Sequence, residues 1–145
     1  MSTRAKLITF DELREKTNIN IVGATFEICY EPGRIERGII ENIVWYYHKH
    51  PRVIRWKEGF IWNPTSRAWI PSRHKESNYN FDFTAFEQFC GPYETEQGEI
   101  FLLSEGGYYA FVYPIGSEVP EKPYSLNRML DIHYEIMGIN LRMPQ

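Results

Sequence analysis

Apolar positions along this chain change period several times, and each change marks an element. Thr9-Phe10-Asp11-Glu12 is a Thr-x-x-Glu capping box, which starts a short helix running to about Asn18. The β-branched and aromatic run from Ile19 to Tyr30 predicts a strand, with Gly23 marking a bulge. Pro32 then stands where a first helical residue would. Ile35, Ile39, Ile40, Ile43, Val44 and Tyr47 follow at offsets that fit one helical face and show no period of two. The spacing predicts a helix ended by Pro51, with His48, Lys49 and His50 placing positive charge at its negative dipole end. The many β-branched residues make a strand the alternative.

From Arg52 to Ile70, short β-prone pieces are broken by Glu58-Gly59 and by Asn63-Pro64-Thr65-Ser66, the pattern of a three-stranded meander. Arg73 to Asn80 is polar and reads as loop. Thr84-Ala85-Phe86-Glu87 repeats the capping box and predicts a short helix that stops at Gly91-Pro92. Glu99 to Ser104 and Tyr108 to Ile115 flank Gly106-Gly107 as a hairpin. A two-residue turn there sets Leu103 against Ala110 and Phe101 against Val112 on one face. It sets Leu102 against Phe111 and Ile100 against Tyr113 on the other. Both faces are apolar, which places the hairpin inside a sheet covered on both sides. A loop with Pro114, Pro120 and Pro123 leads to a last helix from about Ser125 to Met137, closed by Gly138.

These elements predict one α+β domain over residues 1–145: a mostly antiparallel sheet of about five or six strands, meander plus central hairpin, packed by three or four helices. Composition agrees with a packed domain, since 43% hydrophobic and 24% charged residues are inconsistent with disorder. Cys29 and Cys90 are too few for a disulfide framework. Met-Ser-Thr-Arg-Ala-Lys at the start lacks the apolar run of a signal peptide, and no stretch has the length of a membrane span. The expected setting is the cytoplasm, without membrane contact.

Charge adds the one functional signal. All four tryptophans lie between Trp45 and Trp69, inside a stretch from 45 to 75 that carries +6, whereas 76 to 121 carries −9. Cations interleaved with large aromatics suit phosphates and bases. With Glu58-Gly59 as a tight turn, Val53, Arg55, Lys57, Phe60 and Trp62 share one face, and Ile54, Trp56 and Ile61 the other. With Pro64 to Arg67 as a four-residue turn, Trp62 pairs with Trp69, and Arg55, Trp62 and Trp69 line up across three strands. Lys49, Arg52, Arg55, Lys57, Arg67 and Arg73 would then hold phosphate while Trp62 and Trp69 stack on bases, with Lys75 at the rim. The competing reading is structural: Arg beside Trp across a strand is an ordinary sheet-stabilising pair.

Other chemistry finds less support. His48 and His50 point about 200° apart on a helix and, with His74, make a poor metal set. Cys90 at a helix C-terminus reads as an inert thiol, and His133 has no partner that the sequence can name. Glu94, Glu96 and Glu99, with Asp82 and Glu87, match no cation-binding loop. No nucleophile motif, paired carboxylates or phosphate loop appears, so neither metal nor cofactor is expected. The sequence therefore suggests a non-enzymatic binding protein for single-stranded nucleic acid or a nucleotide. The alternative is a protein-interaction module (inhibitor, immunity factor or assembly subunit, self-association included) with the same Trp/Arg cluster as its hot spot. A small hydrolase or nuclease ranks third.

Overall fold

The computed structural model describes residues 5–16, 21–31, 33–46, 50–72, 79–82, 90–104 and 108–142. In chain order the elements are β1 (Ala5–Leu7), α1 (Phe10–Lys16), β2 (Thr25–Glu31), β3 (Arg34–Tyr46), β4 (His50–Asn63), β5 (Ala68–Pro71), β6 (Tyr79–Asp82), β7 (Cys90–Thr95), β8 (Ile100–Leu103), β9 (Tyr109–Tyr113) and α2 (Leu126–Arg142). The strands form one antiparallel sheet. Eight follow in the order β1-β7-β8-β9-β2-β3-β4-β5, and β6 pairs with β4 beside this path. The far edge of β4 is thus shared, with β6 along Val53 to Trp56 and β5 along Phe60 to Asn63.

The expected five or six strands under three or four helices is therefore wrong. The protein is mostly antiparallel sheet, with two helices among the described residues. The largest single error is the helix expected from Pro32 to Pro51, which is strand β3 running into β4. Gly33 stands at φ 78°, the left-handed conformation that the second central residue of a Pro-Gly turn requires. β2 and β3 pair directly across it, Cys29 with Ile35 and Glu27 with Arg37. The β3–β4 ladder shifts register three times, between Arg37 and Ile39, Ile40 and Asn42, and Val44 and Trp45, and the second shift hides period two in β3. The second shift inserts an extra residue into β3, so Ile40 and Ile43 both reach the same core. Bulges of this kind mimic helical spacing in a strand.

Glu58-Gly59 is likewise no turn. β4 passes straight through it, with Glu58 at φ 54° and two residues opposing Gly38. Lys57 pairs with Ile39 and Phe60 with Arg37, both on β3. The four-residue turn at Pro64 to Arg67 does form: Thr65 and Ser66 N–H groups donate to Asn63 Oδ1, and Trp62 pairs with Trp69. The β8–β9 hairpin is one residue out of the expected register. Leu103 pairs with Tyr109, Leu102 with Ala110, Phe101 with Phe111 and Ile100 with Val112. A one-residue slip exchanges partners between faces, and because both faces are apolar the sequence does not forbid it. Residues 79–82, within and beyond the expected loop, are strand β6. The helix expected after Thr84 lies outside the described residues, and α2 continues past Gly138 to Arg142.

Every β8 and β9 residue is buried, because the sheet carries a core on each side. On one side Phe26, Ile28, Ile40, Ile54, Trp56, Ile100, Leu102 and Val112 pack with Leu13 of α1. The capping box anchors that helix, with Glu12 N–H donating to Thr9 Oγ1 at 3.0 Å and Thr9 N–H to Glu12 Oε1 at 3.3 Å. Trp56 lies against Phe26, ring centroids 5.4 Å apart, in space that Gly38 leaves open: a Cβ there would sit 2.0 Å from the indole Cδ1. On the other side Tyr93, Phe101, Leu103, Tyr109, Phe111 and Tyr113 pack with Met129 and Ile132 of α2.

Candidate functional site

The second side holds a carboxylate that the sequence did not flag. Glu27 is fully buried and accepts four hydrogen bonds, two on each oxygen. Oε1 receives Arg37 Nε at 2.9 Å and Tyr113 OH at 3.1 Å; Oε2 receives Tyr109 OH at 2.6 Å and Tyr124 N–H at 2.9 Å. Register explains the meeting, since β2 sets Glu27 between Arg37 of β3 and Phe111 of β9. Burial, followed by the negative charge of Glu27, pushes both the Tyr109 and the Tyr113 hydroxyls well above the ordinary phenol range. They stay protonated and act as donors.

Arg37 carries the network outward. Its Nη1 donates to Pro120 O at 2.7 Å, and its Nη2 to Lys122 O at 2.9 Å and Tyr113 OH at 3.2 Å. The guanidinium also lies over the Trp69 ring, 4.3 Å from its centroid, while the Trp69 indole N–H donates to Glu121 O. One cation thus straps residues 120–122 across the sheet, and each of its nitrogens is engaged within the protein. Arg37 is a positioning group and not a grip for phosphate.

Trp62 and Trp69, half-buried, stand beside it with ring centroids 5.2 Å apart at 60°. Arg55 and Lys57 are exposed and alternate with buried Ile54 and Trp56, so they stand on the same sheet face as the tryptophan pair. They do not form a row across three strands. Arg55 pairs with Asn42 and Asn80 and sits seven residues along β4 from Trp62, roughly 20 Å at strand rise. Arg67 is exposed in the turn at φ 55°. Arg52 lies in β4, and its side chain is outside the described part; Lys49, Arg73 and Lys75 are outside it altogether. Beside Trp69 opens a cleft of about 310 Å³, lined by Thr25, Arg37, Gly38, Ile39, Glu58, Phe60, Trp69 and Val119. Its walls are mainly apolar, and Lys57 is paired opposite one of its lining residues, Ile39.

The remaining candidates resolve differently. His133 does have a partner, Tyr93 OH at 2.7 Å from its Nδ1. Burial, with Cys90 second, pushes that tyrosine up to about 12. Cys90 begins β7, and neither it nor buried Cys29 forms a disulfide. Glu94 is paired with Lys16 and Lys6. Among the described residues no group of three His, Cys, Asp or Glu could hold a metal ion, and no helix is long and apolar enough to cross a membrane. Sequence reasoning misses Glu27 and Arg37 because Pro32 reads as a first helical residue. A hairpin with Glu31 opposite Arg34 would by itself set Glu27 opposite Gly38; the register shift between Cys29 and Glu31 brings Glu27 opposite Arg37 instead. No protein-family profile, curated protein or solved structure matches the chain.

Proposed function

We propose that the protein is a non-enzymatic binding protein that holds a phosphorylated, base-containing ligand, a nucleotide or single-stranded nucleic acid, on the β3–β5 face. The observation that supports this reading is the aromatic cleft itself: Phe60 and Trp69 wall it, half-exposed Trp62 packs on Trp69, and Lys57 is paired opposite its lining residue Ile39. A base inserted against these rings gains about 1–3 kcal/mol from stacking. Lys57, with Arg55 further along the strand, then meets the phosphate as a point charge. Arg37 contributes by fixing the Trp69 ring from behind. A protein partner is the second reading. It is favoured by exposed Phe60 and Ile70, at 38% and 46%, and by the position of β5 at the end of the strand order.

Tryptophan emission titrated with mononucleotides and short single strands tests both readings. The first expects binding that falls log-linearly with salt and weakens about tenfold in Lys57→Ala and in Trp62→Ala. An absence of binding to every nucleotide and strand ends it. Weak salt dependence with capture by an apolar protein surface instead supports the second.

A further inference from the structure

Glu58, with Phe60 and Trp69, lines the aromatic cleft. It is exposed, and its carboxylate makes no hydrogen bond or ion pair among the described residues. Its backbone stands at φ 54°, a left-handed conformation that strains most residues other than glycine, and such strain gathers at functional sites. An acceptor held in that way in the wall of a cleft points to a donor from outside the protein.

The order of side chains along β4 indicates what that donor is. Phe60 follows Glu58, and Lys57 and Arg55 precede it. Lys57 shares the face of the cleft because it is paired opposite Ile39, another of the lining residues. At strand rise Phe60 and Lys57 stand at most roughly 10 Å apart, with Glu58 between them. A nucleotide repeats this order as base, ribose and phosphate. With the base on Phe60 and Trp69 and the phosphate at Lys57, the ribose falls beside Glu58. A carboxylate only accepts hydrogen bonds. It repels phosphate, and the base's Watson–Crick donors lie at the end of the ring remote from the sugar. The ribose 2′ and 3′ hydroxyls are two adjacent donors in the right place, and a carboxylate can receive both, one on each oxygen. Deoxyribose lacks the first, and the interior of a strand has esterified the second.

We infer that the cleft takes a free ribonucleoside 5′-phosphate, with Glu58 receiving its 2′ and 3′ hydroxyls, and that it discriminates against deoxyribose and against the interior of a strand. This refines the nucleotide reading of the cleft and rests on it. Tryptophan emission of the whole chain is titrated with each of the common ribonucleoside 5′-monophosphates. The tightest is then repeated as its 2′-deoxy and its 3′-O-methyl form. The expected result is binding about tenfold weaker when either hydroxyl is lost. Glu58→Gly should bind the ribose and deoxyribose forms alike, and should unfold no earlier than the parent, since glycine adopts this φ without strain. Glu58→Gln, which keeps the length and loses the charge, should show a reduced preference. Equal binding of both sugars by the parent chain overturns the sugar inference alone and leaves the nucleotide reading standing. A preference that survives intact in Glu58→Gly and Glu58→Gln does the same. No binding of any nucleotide overturns both.

Discussion

The two sides of this sheet are held by different physics. The side under α1 is mainly apolar: Phe26, Ile28, Ile40, Ile54 and Trp56 interlock, and the ion pair of Glu36 with Arg34 lies at its β2–β3 end, opposite Ile28. Its specificity comes from shape, above all from the missing Cβ at Gly38. The side under α2 has as much apolar packing but is organised around one ion pair, Glu27 with Arg37, whose remaining bonds go to tyrosines and to backbone of the 114–124 segment. An apolar core tolerates changes that keep volume. A buried ion pair tolerates joint replacement better than loss of one member. The difference shows why the candidate ligand cleft adjoins the second side. Only there does a single contact set fix irregular chain as firmly as a ladder fixes strands.

The comparison breaks most visibly at Arg37. Arg37→Ala should cost about 3–5 kcal/mol, because Glu27 is left buried and charged, whereas Glu27→Leu with Arg37→Met should cost far less than Arg37→Ala. Urea unfolding of the singles and the pair measures this, and an additive pair would deny that the ion pair acts as a unit. On the α1 side, Gly38→Ala should cost about 1–3 kcal/mol by driving Trp56 from its place. Blue-shifted Trp56 emission should move red at the same time.

Alkali separates the sides next. Tyr93, Tyr109, Tyr113 and Tyr124 all hold their protons to higher pH when folded than the ordinary phenol value of 10.0. Above pH 10 the unfolded chain loses these protons first, so stability present below pH 10 drains away as pH rises. Tyr109 alone accounts for up to about 1.4 kcal/mol per pH unit. Urea midpoints at pH 8, 10 and 11 should show the decline, and Tyr109→Phe should flatten it. The smallest effect sits furthest from the pair: Thr9→Ala removes the α1 cap for about 1 kcal/mol and should leave the alkaline slope untouched.

How much of this was legible depended on whether a signal was local. The capping box at Thr9 and the Asn63 turn were read correctly because each is completed by side chain to backbone bonds within three residues. Trp62 opposite Trp69 followed from that turn. The helix expected from Pro32 to Pro51 failed because an extra residue in β3 between Ile40 and Asn42, invisible in one strand alone, broke its alternation. The hairpin slipped by a residue because two apolar faces give no penalty for slipping. As for the site, the sequence paired Trp62 with Trp69 and put Arg55 and Lys57 on their face. It could not foresee that β4 runs on past Glu58, which draws Arg55 away from the tryptophans. Nor could it foresee the 120–122 backbone closing over Arg37, since Lys122 is 85 residues distant.

That separation in sequence has a temporal side. A ribosome finishes the β2–β3 hairpin long before it makes Tyr109, Tyr113 or Tyr124, so the nascent chain carries its central acid and base together, wet and unshielded, through most of synthesis. Half of the sheet must wait for the last quarter of the polypeptide before its interior can close. A chain arrested near residue 105 would accordingly be digested by protease as readily as an unfolded one, and release of the remaining residues, α2 included, would convert it to a resistant form.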